Sequence, residues 1–127
     1  MQSFFYFKVG TTYLQINVFE IQYIQADRRT VLVFTRAHCY CCRASIAEIE
    51  HQLPPAMFCR IHRSYIISLA HTSKFDNDLA YVSGRKLPIA RQYRNVLRDA
   101  IVVVNGDRGP IELADGDVER LLRHVGP

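Results

Sequence analysis

The chain has 127 residues, of which 49% are hydrophobic and 22% are charged, so it suits one domain with a buried core and excludes a disordered protein. No apolar run approaches the roughly 20 residues that a membrane span requires, and the N-terminus lacks the features of a signal peptide. We therefore expect a cytoplasmic protein with no membrane partner.

The formal net charge of +4 is distributed unevenly along the chain. Residues 28–98 carry ten arginines and two lysines against four acidic residues, a net charge of +8, whereas residues 1–27 and 99–127 carry −1 and −3. Arginine, which suits bidentate contacts with phosphate and guanine, outnumbers lysine thirteen to three. The basic excess therefore lies in the central segment, although a merely solvated surface would give the same totals.

Short runs of β-branched and aromatic residues, separated by turn residues, fill most of the first hundred positions and predict strands. The predicted strands are 4–9, 13–16, 21–26, 31–35, 39–43, 57–61, 74–75, 79–82 and 87–89, and residues 64–69 are predicted to form a compact turn or short element. The polar residues 27–30 separate two of these strands. They predict a hairpin that projects Arg28 and Arg29.

Three helices are predicted among these strands. The first follows Ser45, which forms a capping box with Glu48, and ends at the prolines 54–55. The second extends from Arg91 to about residue 104 on apolar residues of helical period, and a short helix spans 115–124 in an acidic tail. The prediction is a mainly β domain over residues 1–104 with two dependable helices, then a linker and tail over 105–127.

The four cysteines are expected to be reduced structural thiols: Cys39, Cys41, Cys42 and Cys59. Their spacing, even with the histidines at positions 38 and 62, matches no standard zinc pattern. Neighbouring strand residues also point to opposite faces, so two adjacent thiols would not reach one ion. We expect no metal and no cofactor.

Two segments, 58–68 and 84–93, set cationic side chains beside an apolar framework, so the arginines must face water or an anion. Arg60 and Arg63 lie an odd number of residues apart, and a regular strand would direct them to opposite faces. At least one of them is therefore a candidate for a structural ion pair. Arg91 lies at a predicted helix N-terminus, where free amides favour phosphate. His62 can donate to a phosphate or a base, or serve as a structural histidine.

These segments, in this order, resemble the LytTR DNA-binding domain of bacterial transcription regulators. The similarity covers roughly residues 4–102 and rests on the stretches 21–27, 45–54, 58–67 and 87–93. Its two most specific blocks are Arg60-Ile-His62-Arg63-Ser64-Tyr65-Ile66 and Leu87-Pro88-Ile89-Ala90-Arg91-Gln92-Tyr93.

The resemblance implies an elongated, multi-sheet β fold whose loops read the major groove of double-stranded DNA. It implies contacts from the hairpin tip, from residues 60–63 and from the entry to the last main helix. The implied DNA-binding residues are Arg28, Arg29, Arg60, His62, Arg63, Lys86, Arg91 and Arg94. Ala90 stands where many relatives carry serine, so a side-chain cap is expected to be missing there.

The resemblance also implies partners. Relatives read paired direct repeats, which implies a second protomer on the DNA. Because 127 residues leave no room for a receiver domain ahead of the motif, the chain is either a free-standing regulator or part of a longer one, and a receiver domain or sensor kinase of a two-component system would lie outside this chain.

Two other functions were weighed. His38, His51 and His62 with Cys59 supply a nucleophile and bases for an enzyme, but the sequence has no nucleophile elbow and no glycine loop for phosphate. We therefore expect no catalytic residues. The remaining alternative is a protein-interaction module with the same fold that does not bind DNA specifically.

Overall fold

The structure is a computed structural model, and it describes residues 3–123. Ten strands and three α-helices follow one another in this part of the chain. The strands are β1 (Phe4–Val9), β2 (Thr12–Asn17), β3 (Ile21–Asp27), β4 (Thr30–Thr35), β5 (Cys39–Cys42), β6 (Phe58–His62), β7 (Tyr65–Ser68), β8 (Thr72–Phe75), β9 (Leu79–Val82) and β10 (Arg85–Pro88). The helices are α1 (Ile46–Gln52), α2 (Arg94–Asp99) and α3 (Asp117–Arg123), and short 3-10 helices occupy Val18–Glu20 and Arg91–Tyr93.

A five-stranded antiparallel sheet of order β5-β4-β3-β7-β6 forms the middle layer. Because successive strand residues face opposite sides, this sheet buries two separate apolar clusters. Ile24 and Ile66 belong to the cluster on one face, whereas Tyr23 and Ile67 belong to the cluster on the other. Near-continuous apolar strands of this kind are expected where a sheet is covered on both faces.

Different elements cover the two faces. The β1–β2 hairpin and α1 pack on the first face, contributing Ile16, Ile46 and Leu53 to its cluster. The three-stranded sheet of order β10-β9-β8 and helix α2 pack on the second, contributing residues such as Val82 and Leu97. The mainly β, multi-sheet fold predicted from the sequence is confirmed.

The predicted boundaries were mostly correct. Ser45 is the N-cap of α1, and its hydroxyl accepts the amide proton of Glu48 at 3.1 Å, as the capping box predicted. Residues 65–68, predicted as a turn or short element, form strand β7 in the interior of the five-stranded sheet.

The helix predicted to reach about residue 104 was wrong in its length. It begins as a 3-10 helix at Arg91 and ends at Asp99. Val102 and Val104, which lie within the predicted span, are 91% and 85% exposed, so no buried contacts at these positions hold further turns. Helix α3 lies within the predicted 115–124, of which residue 124 is outside the described part. The division into a domain and a tail at residue 104 stays a prediction.

Candidate nucleic-acid interface

One end of the five-stranded sheet collects the loops that the sequence singled out. Strand β3 ends at Asp27 and β4 begins at Thr30, while β6 ends at His62 and β7 begins at Tyr65. Because the strands are antiparallel, both turns lie at the same end of the sheet. We call residues 27–30, 62–65 and 90–91 the loop end.

Two backbone hydrogen bonds hold the three segments of the loop end together. The amide of Ala26 donates to the carbonyl of Ser64 at 2.9 Å, which joins the β3–β4 hairpin to the β6–β7 turn. The amide of Ala90 donates to the carbonyl of Ile61, also at 2.9 Å, which joins the entry of the 3-10 helix to the end of β6. Segments far apart in sequence are therefore fixed beside one another by the backbone.

The hairpin tip presents Arg28 and Arg29, both exposed. Arg28 adopts a φ of 58°, a left-handed conformation that is uncommon for residues other than glycine and that closes a two-residue hairpin turn. The Thr30 hydroxyl donates to the carbonyl of Asp27 at 2.8 Å and closes the turn from the other side. The tip is thus a defined turn that carries two arginines.

All three nitrogens of the Arg60 guanidinium bind groups of the protein. Its Nε donates to the carbonyl of His62 at 2.8 Å, one terminal nitrogen donates to the carbonyl of Arg63 at 2.7 Å, and the other pairs with Glu50 at 2.8 Å. Its side chain is only 14% exposed. The odd spacing made at least one of the two arginines of this segment a candidate for a structural ion pair, and Arg60 has that role. Arg63 is exposed, and no carboxylate of residues 3–123 lies within 4 Å of it.

A β-bulge in β6 allows both Arg60 and His62 to form hydrogen bonds within the β6–β7 turn. The register of β6 on β7 shifts between Arg60, opposite Ile66, and His62, opposite Tyr65, so Ile61 is the extra residue and is fully buried. His62 Nδ1 accepts the amide proton of Ser64 at 3.0 Å. A neutral ring then carries its proton on Nε2, which makes that atom a hydrogen-bond donor.

The segment after β10 carries Arg91 into the loop end. Arg91 is the first residue of the 3-10 helix and is exposed. Ala90 precedes it in the extended conformation of an N-cap, with φ −71° and ψ 146°, and makes no side-chain capping bond. The missing cap expected from the sequence is therefore confirmed, and the helix entry is held by the amide of Ala90 on Ile61.

Arg94 binds other groups of the protein through its guanidinium. Its Nε donates to the carbonyl of Asn77 at 2.8 Å and its terminal nitrogen pairs with Asp78 at 2.9 Å. Asp76 fixes that loop, because its carboxylate accepts the amides of Leu79 and Asp78, and these bonds lower the pKa of Asp76. Arg94 therefore joins α2 to the β8–β9 loop.

Lys86 lies on the outer face of the three-stranded sheet. Its ammonium is 5.8 Å from the ring centroid of Tyr81, and Lys74 lies over the same ring at 4.6 Å. The lysine thus belongs to a row of side chains across β8, β9 and β10. The structure does not bring it into the loop end.

Arg43 is a basic residue of the loop end that the sequence argument missed. Cys42, the last residue of β5, pairs with Val31, so the exposed Arg43 follows beside Thr30. The sequence predicted that residue 43 lies in a strand, but it did not predict which residue of a neighbouring strand lies opposite. Only the pairing of β5 with β4 shows that this arginine adjoins the hairpin tip.

The thiols divide into two pairs. Cys42 and Cys59 are buried, and burial raises their pKa values to about 12 and about 11. Cys39 and Cys41 are exposed, although partial burial also raises the pKa of Cys39. Among residues 3–123 no three histidine, cysteine or acidic side chains are grouped as metal ligands would be.

The described residues contain no helix that is long and apolar enough to cross a membrane.

Comparison with known families gives a match over most of the chain. The model of the LytTr DNA-binding domain matches residues 11–102. The CO-responsive transcriptional regulator RcoM of Rhodospirillum rubrum is 36% identical over 67 residues, which are 53% of this chain and 28% of the regulator. The sensory transduction protein LytT of Bacillus anthracis is 28% identical over 89 residues, covering 65% of this chain and 36% of LytT. The chain spans about a third of the length of these curated relatives.

A solved structure has the same fold. It is the LytTr DNA-binding domain of a methyl-accepting/DNA response regulator from Bacillus cereus, with a TM-score of 0.69 and 22% sequence identity. The match covers 79% of this chain and 97% of the solved one. At this identity the likeness establishes the architecture described above.

Proposed function

Because the chain belongs to the LytTR family of DNA-binding domains, we propose that it is the DNA-reading part of a transcription regulator and reads duplex DNA with the loop end. The observation that carries this proposal is the grouping, on three loops, of exposed arginines that have no carboxylate within 4 Å among residues 3–123. Arg28, Arg63 and Arg91 come from different elements, and the bonds from Ala26 and Ala90 hold those elements together.

The loop end suits the major groove in both charge and chemistry. A guanidinium pairs with O6 and N7 of guanine or with two phosphate oxygens, and each good base contact discriminates by about 1–3 kcal/mol. Arg63 and Arg91 occupy the two loops next to β6, so we assign base contacts to them first. Arg28, Arg29 and Arg43 would contact the backbone or an adjacent step, since phosphate contacts position a protein on DNA.

Different roles follow for the other implied residues. His62 would donate from Nε2 to a base or phosphate, because its Nδ1 is occupied by Ser64. Arg60 and Arg94 would act as positioning residues, since their guanidinium groups bind protein carbonyls and carboxylates. Lys86 would at most add a distant phosphate contact.

We further propose that the site is a pair of short direct repeats bound by two protomers. The basis is the family membership together with the small size of the loop end, which covers only part of a regulatory site. The signal would come from a receiver domain or sensor kinase beyond this chain, and binding would occur in the cytoplasm. The regulator RcoM and the sensory transduction protein LytT are about three times as long as the part matched here, which is consistent with such a partner domain.

The test is selection from a randomised duplex library at about physiological salt, with Arg91→Ala beside the wild-type chain. We expect a repeated short motif from the wild type and at least about tenfold weaker binding to it by the variant. Arg36→Ala, which removes an exposed arginine far from the loop end, is the matched control and should bind normally. Weak binding that yields no motif and disappears as salt rises would contradict specific reading and favour an interaction module.

A further inference from the structure

A concave pocket of about 280 Å³ lies at the end of the five-stranded sheet opposite the loop end. The start of β3, the end of β4 and the start of β5 form one wall, and the β9–β10 turn forms the other. Its lining is mainly polar and includes Tyr23, Arg36, His38, Ser83 and Arg85. Nothing in the proposed reading of DNA uses these residues.

Tyr23 is the buried component of this pocket. The residue is 4% exposed, and its ring stacks on Phe34 at 4.5 Å with an interplanar angle of 15°. Its hydroxyl forms no hydrogen bond with any group of residues 3–123. Every fully buried side-chain polar atom in that part of the chain does have a partner, so this hydroxyl is not fully buried. The hydroxyl therefore reaches the pocket. Burial raises the pKa of Tyr23, while nearby Arg85 lowers it, and the phenol remains protonated as a donor at neutral pH.

Two arginines line the pocket. Arg36 and Arg85 are exposed, and within the described residues neither has a carboxylate within 4 Å. Glu20 borders the neighbouring concavity, which shares Arg36 and His38. A pair of guanidinium groups without carboxylates, beside the hydroxyl donor of a largely buried tyrosine, is an arrangement that favours an anion.

Both walls of the pocket are held by local structure. On one side Thr35 and His38 exchange three hydrogen bonds of 2.8–3.1 Å, which close the turn that carries Arg36. On the other side Ser83 and Gly84 adopt positive φ values of 48° and 82°, the tight hairpin turn that directs the chain into Arg85. The donors are thus presented by two closed turns.

We propose that this pocket binds a small phosphate-type oxyanion, held by the guanidinium groups of Arg36 and Arg85 and by the hydroxyl of Tyr23. A tetrahedral oxyanion offers enough oxygen atoms for two bidentate guanidinium contacts and one hydroxyl bond. The volume admits inorganic pyrophosphate or the phosphate group of a small metabolite. A duplex bound at the loop end would lie at the other end of the sheet, so the ligand is a free compound.

The test is a titration of the full chain with inorganic pyrophosphate, followed by NMR of the backbone amides and the arginine Nε–H groups. We expect saturable shifts at Arg36 and Arg85. Tyr23→Phe should weaken binding about tenfold, because it removes one hydrogen bond to a charged group. The melting temperature of the Tyr23→Phe variant should stay unchanged, because the hydroxyl binds no group among residues 3–123. Tyr13→Phe, at an exposed tyrosine of the β1–β2 hairpin, is the matched control and should bind as the wild type does.

Arg85→Gln and Arg63→Gln distinguish this pocket from the loop end. The proposal requires Arg85→Gln to reduce pyrophosphate affinity more than tenfold and to leave duplex affinity unchanged, and Arg63→Gln to do the reverse. The proposal is overturned if pyrophosphate gives no saturable shift, or if Arg63→Gln abolishes the shifts while Arg85→Gln keeps them. It is also overturned if Arg85→Gln weakens duplex binding, because the oxyanion would then be a phosphate of DNA.

Discussion

The two ends of the five-stranded sheet are both rich in arginine, but they differ in shape. At the loop end the arginines lie on turns that project from the sheet, on segments joined by backbone hydrogen bonds. At the opposite end, which we call the pocket end, Arg36 and Arg85 border a concavity beside the buried Tyr23. A projecting set of cations can enter a groove of a large polyanion, whereas a recessed set can enclose a small one.

The comparison also separates arginines by their partners. Arg60 and Arg94 bind carbonyls and carboxylates of the protein, while Arg63 and Arg91 have no carboxylate within 4 Å among residues 3–123. Within one basic segment, net charge therefore does not identify the residues that are available to a ligand. The hydrogen bonds of each guanidinium do.

The largest expected effect is on DNA affinity at the loop end. Arg63→Ala should weaken binding to the selected duplex about 10- to 100-fold, because it removes a base contact worth about 1–3 kcal/mol. Arg36→Ala at the pocket end should change affinity less than about twofold. Fluorescence anisotropy at one fixed salt concentration measures both. Equal losses from the two variants would show that DNA binding depends on total charge and not on position.

The next effect is on stability, through Arg60. Arg60→Met should lower the free energy of unfolding by about 2 kcal/mol. The substitution removes the largely buried guanidinium that binds two backbone carbonyls and the carboxylate of Glu50. Arg91→Met, which removes an exposed guanidinium that forms no ion pair within residues 3–123, should change it by less than about 0.5 kcal/mol. Urea unfolding of both variants measures the difference. If Arg60→Met is as stable as the wild type, Arg60 does not organise the turn.

A smaller gain is expected from restoring the missing cap. Ala90→Ser should stabilise the protein by about 0.5–1 kcal/mol, because residue 90 already has the extended conformation in which a serine hydroxyl accepts a free amide of the first turn. Affinity for the selected duplex should stay within about twofold, since the orientation of Arg91 is set by the backbone bond from Ala90 to Ile61. Thermal unfolding and anisotropy test the two parts separately. A loss of stability would mean that the local geometry rejects the cap.

The smallest expected effect concerns the alkylation rates of the four thiols, which differ between the exposed pair and the buried pair. At pH 8, iodoacetamide should modify the exposed Cys41 first and Cys39 more slowly, while Cys42 and Cys59 stay unmodified. The buried pair have pKa values of about 12 and about 11, so only roughly one thiolate in a thousand or fewer exists at that pH, and the fraction rises tenfold with each pH unit. Peptide mass spectrometry gives the rates. Pyrophosphate should slow only Cys39, which lines the pocket, and equal slowing of Cys41 would argue against occupancy there.

Much of the fold followed from local patterns in the sequence. Runs of β-branched and aromatic residues between turn residues located most strands, and Ser45 with Glu48 located the start of α1. The second helix was predicted too long because its apolar period was extended past Ala100, where Val102 and Val104 are largely exposed. Helical period alone does not hold a helix without tertiary contacts.

The site could be predicted only in part from the sequence, because tertiary contacts bring its residues together. The odd spacing of Arg60 and Arg63 made at least one of them a candidate for a structural partner, but only the hydrogen bonds identify which. Arg43 enters the loop end through strand register, which local residues do not encode. The pocket brings Tyr23, Arg36 and Arg85 together across two sheets, and no spacing in the chain indicates that meeting.

The most direct test of DNA reading by the loop end is hydrogen exchange of the full chain with and without the selected duplex. Our account predicts slower exchange at the amides of residues 27–30, 62–65 and 90–92, with no change at residues 35–38 and 83–85. Protection at 35–38 and 83–85 with an unchanged loop end would contradict it.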